Sequence, residues 1–423
     1  MSRKISSSLG PSIIIAAAIV GTGELIVAPR LGASVGLSAL WLIVLGCVIK
    51  VFIQEELGRH TILTGDTTLQ ALDRVPGPRW RVSWATWSWY LLLIAGTLQM
   101  GGILVSLVQT LHLLKVPGPS LLLAIIVTAF TTAILIRGRY QLIETASGLM
   151  VAGFTAMTIV ALLLLQQTEF RVSLSELLNG LTFKMPASGF ADAVAVFGIT
   201  GIGTSELLFY SYWCREKGYA KDLETRDRET VVARVRGMRL DIAIALVVYT
   251  FATIAFFILG AAILHGGAVP KGLDMILTLS QMYTKTFGDW VFYLFIIGAT
   301  TVLYSTFFVA MATWARVWAD STRLLSSRPV NVERTTQMAL IGLAVIYILL
   351  SAFFKHTPQW LIVGGGAIQT LLLPVFGISA ILLQHKRKDE FRSGSIGQLL
   401  LYVSVVIIAV AAVYSLWGLL PQR

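Results

Sequence analysis

Val20-Gly21-Thr22-Gly23-Glu24-Leu25 and Ile202-Gly203-Thr204-Ser205-Glu206-Leu207 place one Gly-Thr-small-Glu-Leu string inside two long apolar segments of the same chain. Glycine is about 1 kcal/mol worse than alanine in a helix interior, and a carboxylate at mid-bilayer depth costs about 2.5 kcal/mol or more. A continuous apolar helix would carry both penalties at each string. A local break lining a cavity relieves them, because irregular backbone is tolerated in a membrane where it faces a polar cavity. The strings therefore predict two discontinuous helices.

The surrounding composition says what the helices sit in. The chain has 423 residues, 56% hydrophobic and 13% charged, with a mean hydropathy of +0.78; soluble domains carry about 25% charged residues. A soluble enzyme is excluded, and so is a disordered chain, which lacks apolar content. Apolar runs long enough to span a bilayer fall at 10–34, 36–58, 84–113, 117–136, 142–166, 190–214, 238–264, 287–316, 335–354, 358–384 and 396–419. These eleven runs are continuous and much longer than barrel strands. The expectation is an all-α polytopic membrane protein of eleven helices. Arg3 and Lys4 ahead of Ile13–Val20 imitate a secretory leader, but the run continues through the first string, so a retained first helix is expected.

The charge of +11 follows the loops. With the N-terminus in the cytoplasm, 24 of the 33 Lys and Arg residues fall in inside loops, which fixes an N-in, C-out topology. No basic patch remains for nucleic acid. Lys50 alone among the basic residues lies within a span.

Five crossings separate the two strings, so helices 6–10 enter from the side opposite to helices 1–5. Inverted repeats whose first helices are broken at the midplane characterise a class of secondary transporters. The expected division is 1–167 for the first repeat, 168–189 for an outside loop, 190–385 for the second repeat, and 386–423 for a basic loop with helix 11.

Glu24 and Glu206 are the acidic residues that lie mid-span. As protonated acids they would only hold the breaks open. As a converging pair they imply a bound cation or a shared proton between like charges. Around them the candidate binding residues are Gly21, Thr22, Gly23, Gly203, Thr204 and Ser205, joined by Gln369 of helix 10 beside Gly364-Gly365-Gly366. Glu55 and Glu56, late in helix 2, read as an interfacial network with Arg59 and His60 at i, i+4 spacing. Tyr210, Tyr212 and Trp213 read as core or interface. Cys47 and Cys214 form no disulfide framework, and the histidines fall near the ends of apolar runs, away from any metal-ligand spacing.

Gly32-Ala33, Gly36, Ser38, Leu40 and Trp41 after the first string, Gln54, Arg59, Thr64 and Gly65 around the end of helix 2, Asp241, Ile244, Ala245 and Leu246 in helix 7, and Leu373-Pro374 in helix 10 give the chain a resemblance over most of its length. It resembles the Nramp (natural resistance-associated macrophage protein) divalent-metal transporters. The resemblance implies a LeuT-type 5+5 inverted repeat with helices 1 and 6 broken, and a metal site at the breaks. Where that family has Asp-Pro-Gly-Asn, this chain has Gly21-Thr22-Gly23-Glu24. The family's Met-Pro-His falls on Ser205-Glu206-Leu207, and its acidic helix 3 positions fall on Gly96 and Gln99. Losing the thioether leaves an all-oxygen ligand set, which suits magnesium, calcium or manganese.

The expected function is a secondary transporter that moves a divalent cation by alternating access, with Glu24 and Glu206 as metal ligands, no resident cofactor, the lipid bilayer as surroundings and a monomeric working unit. The alternative on the same fold is a carrier of an organic cation or amino acid. An enzyme is not expected, since no nucleophile-base pair, nucleotide loop or zinc spacing is present.

Overall fold

The computed structural model of the chain describes residues 10–21, 23–137, 139–184, 190–223, 227–267, 273–354, 359–387 and 392–419. Helix 1 starts at Pro11, where a missing N–H is harmless, and runs as Pro11–Ile19. After the first string the chain resumes as a π-helical turn, Gly23–Val27, and then Ala28–Val35. Gly36, at φ 63°, ends it in a left-handed conformation that a side chain would strain.

Helix 7 (Arg228–Leu264) shows that the chain reverses there. In its N-terminal half, Asp241 accepts the N–H groups of Gly10 (3.0 Å) and Ser12 (2.8 Å), capping helix 1 from another helix. Just beyond its end, His265 Nδ1 lies 3.0 Å from the carbonyl oxygen of Ala33. Helix 2, formed by Gly36–Ala39, Leu40–Ile49 and Val51–Thr64, then brings Glu55 back to Arg239 at 2.7 Å. Gly10 and Glu55 thus meet the N-terminal half of helix 7, and Ala33 meets its C-terminal end.

The remaining crossings are helix 3 (Trp84–Leu113), helix 4 (Ser120–Ile136) and helix 5 (Tyr140–Leu165). Helix 6 is broken, as Phe190–Ile199 and Thr204–Lys217. Helix 8 (Trp290–Leu325), helix 9 (Val332–Phe353), helix 10 (Gln359–His385) and helix 11 (Ser395–Leu419) follow. Among the described residues eight helical stretches are long and apolar enough to cross a bilayer, the first of them holding helices 1 and 2 together. With that stretch counted twice, and with the 17-residue helix 4 and broken helix 6 added, the order of eleven is the expected one. Helix 7 begins before its apolar run. Short elements that hydropathy does not mark lie between crossings: Thr68–Asp73, Leu174–Asn179, Leu273–Phe287 and a hairpin of Arg79–Trp80 with Val82–Ser83.

Helix 6 runs opposite to helix 1. The Trp41 N–H, one turn past Gly36, donates to Gly180 O at 3.1 Å, so the chain approaches helix 6 from the far face. Helix 6 then ends with Lys217 on Glu144 at 2.6 Å, and Glu144 also adjoins Gly10. Packing comes in matching couples: helix 1 on 7 with helix 6 on 2, helix 3 on 10 with helix 8 on 5, and helix 4 on 9 with itself. This is the LeuT-type inverted repeat. The described residues flanking the breaks of helices 1 and 6, 14–20 and 204–214, are buried but for the half-buried Glu206, while Phe130, Leu149, Val345 and Val406 on outer helices are exposed, as hydrocarbon solvent permits.

The face carrying the N-terminus is locked by ion pairs. Glu55 pairs with Arg59 (2.6 Å), as i, i+4 spacing predicts. Glu56 does not pair with His60. It meets Arg387 beyond helix 10 at 2.5 Å, Arg59 at 3.7 Å and the hydroxyl of Ser393 at 3.0 Å. His60 turns instead to Asp66 at 3.2 Å, which Arg74 also engages. The spacing rule is overridden because Glu56, 3% exposed, needs a full opposite charge, and only the tertiary fold delivers Arg387. Burial favours the neutral form of Arg387 and holds its guanidinium below its ordinary pKa, against the pull of Glu56. Removing one member of such a buried pair typically costs about 3–5 kcal/mol.

Candidate functional site

Both strings fold alike at short range. The Gly21 N–H donates to Glu24 Oε2 at 3.0 Å, and the Gly203 N–H donates to Glu206 Oε2 at 3.0 Å. Each glutamate reaches back three residues to a backbone donor that the break has freed, as in half of a capping box. Each glycine also clears space: a Cβ on Gly21 would collide with Thr306 Oγ1, and one on Gly203 would lie 2.6 Å from Gln369 Oε1.

The surroundings of the two carboxylates differ. Glu24 is fully buried, with Oε1 3.1 Å from the Thr253 hydroxyl of helix 7. That hydroxyl also donates to Tyr249 O at 2.8 Å, so its single proton serves two acceptors. Glu206 is only partly buried, and its two oxygens each lie 3.2 Å from Ser205 Oγ. Ser205 Oγ stands 2.8 Å from Gln369 Oε1, Thr204 Oγ1 donates to Gln369 O at 2.7 Å, and Gln369 Nε2 faces Gln99 Oε1 at 3.3 Å.

Glu206, Ser205, Gln369, Gln99, Gly23 and Gly96 border a cavity of about 30 Å³, walled by Met100, Ile103, Phe209 and Trp314. A water needs roughly 10–15 Å³ of such space, so an ion with a water or two fits. Glu24 does not border it. The two carboxylates lie within electrostatic reach of one another, but no hydrogen bond joins them. Of the residues expected at the site, Gly23, Ser205, Glu206 and Gln369 line the cavity, while Gly21, Gly203 and Thr204 hold the breaks. Thr22 lies outside the described residues. No group of three His, Cys, Asp or Glu side chains gathers among the described residues, so any metal here would rely on one or two carboxylates, amides and hydroxyls.

The freed carbonyls are met by residues that the strings do not reveal. Thr306 Oγ1 of helix 8 lies 3.2 Å from Ala18 O and 3.1 Å from Val20 O, capping the first half of helix 1. Lys50 of helix 2 is fully buried and donates from Nζ to Phe197 O at 2.7 Å and Thr200 O at 2.5 Å, capping the first half of helix 6. Lys50 carried a sequence signal, as the lone basic residue within a span. Thr306 and Thr253 carried none, since hydroxyls are common in membrane helices.

Toward the N-terminal face the cavity is lined by Phe209 and Trp314, edge to face with centroids 4.9 Å apart. Beyond them Asp320 accepts from Thr67 (2.5 Å), Gln70 (2.7 Å) and Tyr212 (2.9 Å), tying helix 8 to helix 6 and to the segment after helix 2. A larger cavity of about 640 Å³ borders Tyr212, Arg215, Arg316 and Asp320 on that side. Tyr210, Tyr212 and Trp213 are core residues, and Cys47 and Cys214 are free and buried.

A family model described as natural resistance-associated macrophage protein-like matches residues 12–418. An uncharacterized protein of Pasteurella multocida is 26% identical over 356 residues, 81% of this chain and 77% of that protein. The divalent metal cation transporter MntH of Pectobacterium carotovorum is 26% identical over 273 residues, 62% of this chain and 60% of that protein. Among solved structures, the manganese transporter of Eremococcus coleocola aligns at TM-score 0.73 and 15% identity, covering 99% of this chain and 89% of that one.

Proposed function

The chain belongs to the Nramp family of multi-pass membrane transporters, and from that premise we propose that it moves a hard divalent cation, such as Mg²⁺ or Mn²⁺, by alternating access. The observation that carries this reading is the cavity of about 30 Å³ between the two breaks, bordered by the oxygen-bearing side chains Glu206, Ser205, Gln369 and Gln99. Oxygen donors favour hard cations, and a partly hydrated ion uses few protein ligands. An amino acid or organic cation does not fit this volume, so the small ion is preferred.

In this reading Glu206 is the direct ligand, with Ser205 and Gln369 completing the protein's share, while Glu24 supplies negative charge from behind the helix 1 break. The occluded state is sealed by Phe209 and Trp314, and the ties of Asp320 and Glu56 must open for release. The basic loops assign the N-terminal face to the cytoplasm. The test is uptake of ⁵⁴Mn²⁺, and of Mg²⁺ by fluorescent indicator, into proteoliposomes holding the full chain. Uptake that exceeds empty liposomes and collapses in Glu206→Gln supports the reading; a folded parent that moves neither ion overturns it.

A further inference from the structure

Lys50 is the feature that the transport reading does not absorb. Its ammonium lies fully buried within a membrane span, and both of its recorded hydrogen bonds go to neutral backbone carbonyls, Phe197 O and Thr200 O. The ring of Phe197 lies 5.4 Å away. Glu24 and Glu206 are within electrostatic reach but not in contact with it. Burying an ammonium is far costlier than burying a hydroxyl. The corresponding carbonyls of helix 1 are satisfied by the neutral hydroxyl of Thr306, so capping a broken helix in this molecule does not require a charge. At helix 6 a charge is present all the same.

Free carbonyls at the end of a half-helix are where carriers with broken helices hold a mobile coupling cation. We propose that Lys50 is a tethered cation that permanently fills this position, so that the carrier takes no second, sodium-like ion and the two glutamates face one built-in positive charge. The ammonium leaves part of the negative charge of Glu24 and Glu206 for the transported ion, which makes Lys50 a specificity-determining residue of that site. The inference rests on the transport reading only in treating the helix 6 break as a cation position.

The experiment is thermal unfolding of the detergent-solubilised full chain, without divalent ions, in sodium chloride and in choline chloride, for the parent, Lys50→Arg and Lys50→Met. The parent and Lys50→Arg are expected to melt at the same temperature in both salts. Lys50→Met is expected to melt lower in choline and to recover at least half of the loss in sodium, because the emptied carbonyls then accept the small ion. A purely structural lysine would leave Lys50→Met equally weakened in both salts, and that result overturns the proposal. So does a parent stabilised by sodium over choline, or a Lys50→Met that fails to fold even in sodium. No divalent ion enters the measurement, so a chain that fails to move Mn²⁺ removes the transport reading without deciding this one.

Discussion

The break in helix 1 and the break in helix 6 begin from one sequence pattern and one local bond, a glutamate folded back onto a glycine N–H three residues earlier. They end in different electrostatic states. At helix 1 the carbonyls meet a hydroxyl, and Glu24 is turned toward Thr253, away from the cavity. At helix 6 the carbonyls meet an ammonium, and Glu206 borders the cavity with Ser205 and Gln369. The difference shows how a repeat can diverge: the backbone solution is kept in both halves, and the neighbours brought by helices 2, 7, 8 and 10 leave one glutamate buried against a hydroxyl and set the other at the cavity, and under the proposed transport the second is the one that meets the ion.

Breaking this comparison starts with the carboxylates. Glu206→Gln is expected to reduce metal uptake beyond the roughly 10–100-fold typical of residues behind a metal ligand, while Glu24→Gln stays near or below about 10-fold. Equal losses in parallel uptake assays would mean that the two breaks share the ion. Next in size, Trp314→Ala removes the ring that Phe209 of helix 6 packs against edge to face and should cost about 3–5 kcal/mol in an unfolding assay. It should also let a Ser205→Cys thiol react with a reagent applied to the N-terminal face; an unreactive thiol would place the seal elsewhere.

A smaller effect is expected from Thr306→Val, which leaves Ala18 O and Val20 O without their donor at a cost of about 1–3 kcal/mol. On the proposed assignment, which puts the cation position at the helix 6 break, sodium should not repair it as it repairs Lys50→Met. Asp227, the cap of helix 7 remote from both breaks, provides the smallest effect. Hydrogen bonds from the Thr230 hydroxyl and N–H hold its carboxyl below the usual range. A depressed carboxyl stabilises above its unfolded pKa and loses that contribution as pH falls through the folded one. Asp227→Asn should therefore change melting slightly at neutral pH, flatten the acid side of the stability profile and leave uptake intact.

The legibility of the sequence varied with the range of the interaction. Hydropathy marked the eleven crossings because each must bury its own backbone hydrogen bonds in about 20 residues, a local requirement. The repeated string marked the breaks because glycine and glutamate are both expensive in an apolar helix, whatever surrounds them. The Glu55–Arg59 pair was legible from spacing, whereas the partner of Glu56 was not, since Arg387 is separated from it by most of the chain. Gln369 was legible as a polar residue beside a glycine run in helix 10. The roles of Thr306 and Thr253 were not, because a hydroxyl in a membrane helix usually bonds its own backbone.

The amino-acid sequence by itself determined that this protein lives in a membrane, that its chain carries eleven apolar runs of spanning length, and that helices 1 and 6 must break at matching strings, all consequences of free-energy costs paid residue by residue. Only the tertiary structure decided that Glu206 borders the cavity and Glu24 does not, that Thr306 caps one break, and that the ammonium of Lys50 caps the other. Those outcomes depend on which distant helix lies a few ångströms away, and electrostatic and hydrogen-bonding interactions of such short reach are set by packing rather than by position along the chain.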